Sequence, residues 1–306
     1  MNMISSVFKF LSTLNIWLSI TASLGNALIL VALHKDTSLH PPTKLLFLCL
    51  TITDLSVGVI SQPLFAVLHL SYVTTGMNRE AICYTEKINA VSSFVLCGVS
   101  VLTSSAISGD RLLALSSGLR YRHVVTVKRV RAVIFCFWLI GLSCGLMYLW
   151  NIRIFFTIFF ALVMTSIVNS IFSYAIIYVK LRQYRLQVRA FPQRQPSGIQ
   201  VPLKITRYKK SVSSVLWVQL ALVTCYIPFL IVVMLMTYGR MRGDNLQVAF
   251  NITATLTYLN SSLNPVLYCS RISTVRQAAK DTIKKLNCCK SDLILDWGGS
   301  REEGLR

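Results

Sequence analysis

Four polar or proline-containing features lie inside stretches of the sequence that are otherwise strongly apolar. Asp54 follows LCLTIT in one such stretch, and Asp110 and Arg111 stand side by side at the end of another. Pro228 and Pro265 lie within two more. An ionisable group deep in a membrane is costly and usually functional, and a proline in a helix removes a backbone hydrogen bond and bends the helix. The charged residues therefore predict functional sites, and the prolines predict either hinges or fixed bends.

The composition indicates which solvent these stretches face. The chain has 306 residues, a mean hydropathy of +0.59 and 14% charged residues, against about 25% in a soluble domain. Seven apolar runs are long enough to cross a bilayer, and none shows the alternation of a membrane strand. The runs cover residues 11–33, 45–70, 84–115, 130–150, 154–181, 211–238 and 248–269. The sequence therefore predicts an all-α bundle of seven transmembrane helices.

The distribution of basic residues predicts the orientation of this bundle. The net charge is +20, and 25 of the 31 Lys and Arg residues lie in segments 34–44, 111–131, 180–210 and 271–306. The positive-inside rule places these segments in the cytoplasm and the N-terminus outside, as expected for a multi-pass protein of the plasma membrane. Topology and attraction to anionic membrane lipid account for the charge, so we expect no nucleic-acid partner.

The segments outside the membrane are short. We divide the chain into an extracellular N-terminus (1–10), a seven-helix domain (11–270), a C-terminal helix (271–290) and a cytoplasmic tail (291–306). The C-terminal helix has apolar residues three and four apart, which predicts an amphipathic helix on the inner membrane surface. Cys288 and Cys289 lie at its end, as palmitoylation sites or as free thiols. No extracellular segment can hold a globular domain, so a ligand must bind within the bundle or at its rim.

Several oxygen-bearing side chains are positioned to converge on Asp54. Ser100 lies in the third run, Asn26 lies near the middle of the first, and Asn260 and Asn264 share one face of the seventh. Together these oxygens would form a small cation site, with Na⁺ as the expected occupant. The alternative is a network of hydrogen bonds between helices without an ion. The nine cysteines form no CxxC pair and no cluster with histidine, so no other metal site is expected.

The order of these features resembles that of a known family. The matching segments are Gly25-Asn26, Leu50-Thr51-Ile52-Thr53-Asp54, Asp110-Arg111, Trp138, Tyr174, Cys225-Tyr226-Ile227-Pro228 and the NPxxY motif Asn264-Pro265-Val266-Leu267-Tyr268. They occur in sequence order and span nearly the whole chain. In this respect the sequence resembles the rhodopsin-like (class A) G-protein-coupled receptors.

The resemblance implies a function and a role for each matching residue. It implies a receptor, not an enzyme, that senses an extracellular ligand and activates a heterotrimeric G protein when the sixth helix swings outward from Pro228. Arg111 would contact the G protein, with Asp110 as its resting partner. Tyr174 and Tyr268 of the NPxxY motif would rearrange during that movement. The residues that correspond to the sodium pocket of the family are Asp54, Ser100, Asn260 and Asn264.

The chain departs from the family pattern at positions that affect signalling. Leu112 follows Arg111 where the family has tyrosine, and Tyr226 replaces the tryptophan of the family's CWxP motif. Tyr208 stands twenty residues before Pro228, where an acidic residue often latches the arginine. Because that latch is missing, the sequence predicts appreciable basal activity.

Other departures indicate which receptors of the family the chain resembles. Glu86 occupies the usual helix 3 cysteine position, and Cys83 has no extracellular partner, so no disulfide is expected there. The connection at residues 151–153 is very short, and the fifth run has Ser166 near the place of its common proline. These features resemble the melanocortin, cannabinoid, lysophospholipid and adenosine receptors. The segment 119–123, LRYRH, is similar to that of melanocortin receptors.

Two positions make particular ligands less favoured. Ser93 stands where receptors for biogenic amines carry an aspartate, and Tyr258 stands where opsins carry the lysine that binds retinal. A peptide, a lipid and a small molecule all remain open as the ligand. Ordinary helix packing is the alternative role for every candidate pocket residue. The candidates are Glu86, Asn89, Ser93, Tyr226, Phe229 and Tyr258.

Two further functions remain open from the sequence. The chain would be a transporter if Asp54 carried an ion or solute, although no inverted repeat and no second deep acid support this. It would be a non-coupling seven-helix protein if the signalling motifs were inactive. The tail after Lys290 has hydroxyls only at Ser291 and Ser300, so weak arrestin recruitment is expected.

Overall fold

A computed structural model describes residues 2–35, 39–73, 78–190, 200–239, 243–271, 276–277 and 280–281. All regular structure in these residues is helical. The α-helices are α1 (Asn2–Lys35), α2 (Pro41–Ser56), α3 (Gln62–Ser71), α4 (Arg79–Ser117), α5 (Tyr121–Val124), α6 (Val127–Trp150), α7 (Ile152–Ala190), α8 (Gln200–Tyr238) and α9 (Asp244–Arg271). A π-helical segment, Val57–Ser61, joins α2 to α3, and a 3₁₀ turn, Gly118–Arg120, precedes α5.

Each of the seven predicted apolar runs forms a long helix, and the predicted seven-helix bundle is confirmed. The second run consists of α2, the π-helical segment and α3, and α5 is a short helix outside the runs. Among the described residues, six helices are long and apolar enough to cross a membrane. The seventh, α9, is less apolar because its inner face carries asparagine, serine and threonine side chains.

Local sequence features set where several helices begin. Pro41 and Pro42 start α2, where a missing N–H costs nothing because the first turn has no partner for it. Asn151 is the only residue between α6 and α7. Its side-chain oxygen accepts hydrogen bonds from the backbone N–H groups of Arg153 (3.1 Å) and Ile154 (3.2 Å), which caps α7. The short connection expected at residues 151–153 is thus a single capping residue.

The bundle buries many polar side chains and exposes large apolar ones over much of its length. Asp54, Asn15 and Gln62 are completely buried, whereas Phe135 and Leu146 on α6 are more than 60% exposed. This distribution is opposite to that of a soluble domain and matches a protein whose outer face contacts lipid. Two apolar clusters fill the interior, one around Phe155 on α7 and one around Ile177 on the same helix.

Glycines allow close contact between particular helices. A Cβ atom added at Gly145 on α6 would lie 2.5 Å from the Val95 side chain on α4, and one added at Gly141 would lie 2.9 Å from Val99. A Cβ atom at Gly25 on α1 would lie 2.9 Å from the ring of Pro265 on α9. Small residues at such positions let membrane helices approach each other closely, which strengthens their packing.

Several predicted boundaries differ from the structure. Helix α1 begins at Asn2, so the segment predicted as an N-terminal extension is mostly helical. Helix α7 ends at Ala190 and helix α8 begins at Gln200, so both extend into the predicted cytoplasmic loop. Hydropathy marks only the part of a helix in lipid, and the backbone hydrogen bonds continue beyond it.

The structure describes little of the C-terminal region. Residues 276–277 and 280–281 of the predicted C-terminal helix are helical, and Gln277 donates to Asp281 four residues later. Cys288, Cys289 and the tail 291–306 lie outside the described residues. Their palmitoylation and their weak arrestin recruitment stay predictions.

Candidate functional site

Asp54 lies at the centre of a buried polar site between α2, α4 and α9. Ser261 donates to its Oδ1 atom at 2.8 Å, and Ser100 donates to the same atom at 3.3 Å. Asn264 donates to its Oδ2 atom at 2.6 Å. Helix α1 joins this site because Asn26 donates to the backbone oxygen of Ser261 at 3.1 Å. The structure therefore places Asp54, Ser100 and Asn264 together, as the sequence predicted.

Asn260 does not bond directly to Asp54. Its side chain is buried, and its Oδ1 atom has no hydrogen-bond partner. The next residue, Ser261, donates to Asp54 instead. Neighbouring residues on a helix point about 100° apart, so the four-residue spacing from Asn264 predicted the face and missed the residue that bonds to the carboxylate. A serine beside the predicted asparagine was the available signal.

Three asparagines on α1 and α9, two of which bond to Asp54 or to its partner Ser261, have amide oxygens without a hydrogen-bond partner. The Oδ1 atoms of Asn26, Asn260 and Asn264 are all buried without a hydrogen-bond partner. Buried acceptors without partners are costly, and a cation stabilises them because carbonyl and carboxylate oxygens are its natural ligands. Oxygen atoms of this kind are suitable ligands for Na⁺, whose binding at this site stays a prediction. The acid also has three hydrogen-bond donors of its own, so the network without an ion is formed in the structure too.

At the end of the bundle that the sequence predicts to be cytoplasmic, Asp110 is the centre of a second polar group. Thr43 on α2 donates to its Oδ2 atom at 2.9 Å, and Tyr121 on α5 donates to its Oδ1 atom at 2.6 Å. The Arg111 guanidinium lies 3.7 Å from the same carboxylate. We call Thr43, Asp110, Arg111 and Tyr121 the cytoplasmic cluster. The sequence predicted the Asp110–Arg111 pair, and it missed the roles of Thr43 and Tyr121.

Tyr121 remains a hydrogen-bond donor at physiological pH. Its burial raises the pKa of the phenol to about 12, and its bond to the Asp110 carboxylate raises that pKa as well. The hydroxyl also lies 3.1 Å from the Thr43 hydroxyl. The short α5 helix is therefore fixed to α2 and α4 through one carboxylate.

Aromatic side chains connect the cytoplasmic cluster to the NPxxY motif. The Arg111 guanidinium carbon lies 5.9 Å from the centre of the Phe47 ring, and Phe47 packs edge-on against Tyr268 at 5.5 Å. Tyr174 and Tyr268 belong to the same buried cluster. The Tyr268 hydroxyl is buried and has no hydrogen-bond partner among the described residues. This hydroxyl can gain a partner if α8 and α9 rearrange.

The two prolines lie within continuous helices. Pro228 is inside α8 and Pro265 is inside α9. Pro265 packs against Gly25, which provides space for its ring. In each helix the proline removes one backbone donor, so the segments on either side are less firmly joined than in an unbroken helix.

A cavity opens at the opposite end of the bundle, which the sequence predicts to be extracellular. Its volume is about 110 Å³, and all six candidate pocket residues line it: Glu86, Asn89, Ser93, Tyr226, Phe229 and Tyr258. Ser93 and Tyr258 share a hydrogen bond of 2.7 Å between their hydroxyls. Tyr226 and Phe229 belong to the apolar cluster below the cavity. The sequence therefore located the candidates at one site, although several also serve in packing.

His69 is a cavity residue that the sequence analysis missed. Its side chain is buried, its Nε2 atom lies 3.0 Å from the Oδ1 atom of Asn251, and its ring contacts Phe65 and Phe8. A histidine within an apolar run was the available signal. The lining is otherwise largely aromatic, with further rings from α4, α6, α7 and α9.

Comparison with known proteins identifies the family. The sequence matches the family model "7 transmembrane receptor (rhodopsin family)" over residues 25–153 and 143–268. The chain belongs to this family. The receptor is accordingly a multi-pass membrane protein of the G-protein-coupled class and not an enzyme, as the sequence motifs predicted.

The receptor is similar to two groups of named relatives. It is 23% identical to melanocortin receptor 5 of Pan troglodytes over 289 residues, which cover 89% of this chain and 82% of the relative. It is 22% identical to adenosine receptor A3 of Ovis aries over 310 residues, which cover 93% and 92% of the two chains. Melanocortin receptor 4 of Danio rerio is 23% identical over 287 residues, covering 89% and 82%. Both groups were among those that the resemblance indicated.

Proposed function

We propose that the receptor lies in the plasma membrane with its N-terminus outside, binds its ligand in the extracellular cavity and activates a heterotrimeric G protein in the cytoplasm. The cytoplasmic cluster carries this proposal. Arg111 is held beside Asp110, and that carboxylate also accepts hydrogen bonds from Thr43 and Tyr121. A resting partner of this kind keeps the arginine from a G protein until the helices move.

The activating step is an outward movement of the cytoplasmic half of α8 from Pro228. This movement would open the space next to Arg111 and free Tyr174 and Tyr268 to change partners. The unpaired hydroxyl of Tyr268 supports the proposal, because a buried donor without a partner gains free energy when it finds one. The ligand acts on the same helix from above, since Tyr226 and Phe229 line the cavity and belong to α8.

We infer that the ligand has an apolar or aromatic body and is neutral or cationic. The cavity lining in the described part of the chain is rich in aromatic rings, and Glu86 is its only carboxylate. No lysine or arginine of those described residues lines it, so an anionic head group finds no fixed positive charge there. A cationic group on the ligand would pair with Glu86 and contact the nearby rings.

We also propose Na⁺ as an allosteric ion at the Asp54 site. Asp54 would supply the negative charge, and the unpaired amide oxygens of Asn260 and Asn264 and the hydroxyls of Ser100 and Ser261 are the available further ligands. The ion supplies a positive charge that balances the buried carboxylate. The side chains fix the resting packing of α2, α4 and α9 around it.

Nucleotide exchange with purified components tests the proposed function. The receptor, placed in lipid nanodiscs, is mixed with one purified G-protein heterotrimer at a time, and GTP binding to the α subunit is followed. We expect wild type to accelerate nucleotide exchange on at least one class of G protein. The Arg111→Ala variant should not accelerate it. Sodium or proton flux through proteoliposomes, without accelerated exchange, would instead support transport through Asp54.

A further inference from the structure

Gln219 on α8 makes three side-chain hydrogen bonds to α4. Its Nε2 atom donates to the backbone oxygen of Ser104 at 2.8 Å, to the Ser104 hydroxyl at 2.9 Å and to the Ser108 hydroxyl at 2.9 Å. All three residues are at least 94% buried. A single carboxamide, with two hydrogens, is thus shared among three acceptors on the facing helix.

The acceptors are arranged on one face of α4. Ser104 and Ser108 are four residues apart, and the Ser108 hydroxyl also donates to the backbone oxygen of Ser104 at 3.2 Å. The apolar residues Val218 and Leu222 lie on either side of Gln219 along α8. A primary amide in such surroundings is stable only while it keeps its partners, because a buried donor without one is costly.

The position of Gln219 on α8 connects this contact to the proposed activation. Gln219 lies nine residues before Pro228, on the cytoplasmic side of the proline and in the segment proposed to move outward. An outward movement of that segment draws the carboxamide away from both serines. The contact seen in the structure would therefore be lost if the segment moved outward as proposed.

We infer that Gln219, Ser104 and Ser108 form a clasp that holds the receptor in its resting state. The inference rests on the proposed outward movement of α8. The clasp supplies a restraint between α4 and α8 at the middle depth of the bundle, in a sequence that lacks the acidic latch at Tyr208. Basal activity is then set by how often this clasp opens, and the missing acid alone does not determine it.

Basal G-protein dissociation in cells tests the clasp at matched surface levels. Gln219→Leu keeps the side-chain volume and removes the donor, so we expect a basal signal about tenfold above wild type, from the loss of interhelical hydrogen bonds. The double variant Ser104→Ala/Ser108→Ala removes two acceptors with little change in volume, and it should also raise the signal. A variant that combines Gln219→Leu with both serine substitutions should show no higher basal signal than Gln219→Leu alone, because all three changes remove the same interaction.

Asn169 provides a matched control. Its amide on α7 donates to the hydroxyl of Ser105 on α4 at 2.8 Å, so it makes the same kind of bond to the same helix from a different neighbour. Asn169→Leu should change basal signalling less than twofold. An equal rise in Asn169→Leu and Gln219→Leu would show general loosening of α4 and would overturn the clasp. An unchanged signal in Gln219→Leu, with a wild-type signal that requires Arg111, would overturn it as well.

A direct readout separates failure of the clasp from failure of G-protein coupling. A fluorine label at the cytoplasmic end of α8 reports the position of that helix in purified receptor by NMR. If no variant activates any G protein, a label shift in Gln219→Leu but not in Asn169→Leu still supports the clasp, and coupling alone fails. The absence of any such shift overturns the clasp.

Discussion

At the scale of single residues, the Asp54 site combines two properties that seldom occur together. The carboxylate is fully buried and has three hydrogen-bond donors, yet three amide oxygens nearby have no partner. A network that only joined helices would satisfy its amides as well as its acid. The surplus of unpaired oxygens is what a bound cation would satisfy.

Sodium should therefore stabilise the receptor through Asp54. We expect the melting temperature of purified receptor to be about 3 °C higher in NaCl than in KCl at equal ionic strength. Asp54→Asn should abolish this difference, because the charge that attracts the ion is gone. Asp244→Asn, which changes an acid at the start of α9, should keep it. Equal melting temperatures of wild type in the two salts would contradict sodium binding. They would favour the alternative, a hydrogen-bond network without an ion.

Tyr121 should stabilise the cytoplasmic cluster over the whole physiological pH range. Tyr121→Phe removes the hydrogen bond to Asp110 and should lower the free energy of unfolding by about 1 kcal/mol, reduced from the buried value because the site is partly exposed.

The pH dependence of this effect has a definite sign. The phenol pKa rises from its ordinary value of 10 to about 12 in the folded protein, so the contribution is complete below pH 10 and is lost as the pH rises from 10 to 12. Thermal unfolding of both proteins between about pH 6 and pH 9 should therefore show a constant difference. A difference that changed steadily across that range would contradict a protonated donor.

At the scale of helices, the contact between α4 and α6 depends on two glycines. Gly141 and Gly145 are one turn apart on α6 and face valines of α4 without room for a side chain. Most of the remaining surface of α6 is exposed and apolar, so it faces lipid. Its other contacts include Tyr148, whose ring packs edge-on against Phe155 on α7.

Gly145→Ala should consequently weaken the bundle. Its new methyl group would lie 2.5 Å from Val95, so α6 must shift away, and we expect the melting temperature to fall by about 5 °C. Gly98→Ala on α4 is the control, since no atom lies within 4 Å of the added carbon and alanine favours a helix. Thermal unfolding in detergent measures both. A larger loss in the control would show that the glycine contact has no special role.

The positions of the helices were more predictable from the sequence than the side-chain contacts between them. Hydropathy located the seven helices because each must match the thickness of a bilayer, and Asn151 marked the shortest connection. Contacts such as Thr43 and Tyr121 with Asp110 depend on how a cytoplasmic loop folds back onto the bundle. The bonds from Gln219 depend on the rotation of α8 against α4. Neither arrangement leaves a periodic signal in the chain.

At the scale of the whole molecule, buried polar groups lie near both ends of the bundle and between them. His69 and Asn251 lie at the extracellular cavity, Asp54 lies below them, and the cytoplasmic cluster lies at the opposite end. A soluble protein would bury apolar groups in these places. In a membrane protein such polar groups find their partners on neighbouring helices, as these do.

Basal G-protein dissociation in cells shows whether the receptor activates a G protein through Arg111. Each class of heterotrimer is measured with wild type, Gln219→Leu and Arg111→Ala at equal surface levels. We predict a signal from at least one class that rises in Gln219→Leu and disappears in Arg111→Ala. If no class dissociates with any of the three proteins, or if Arg111→Ala leaves the signal unchanged, coupling through this site is contradicted.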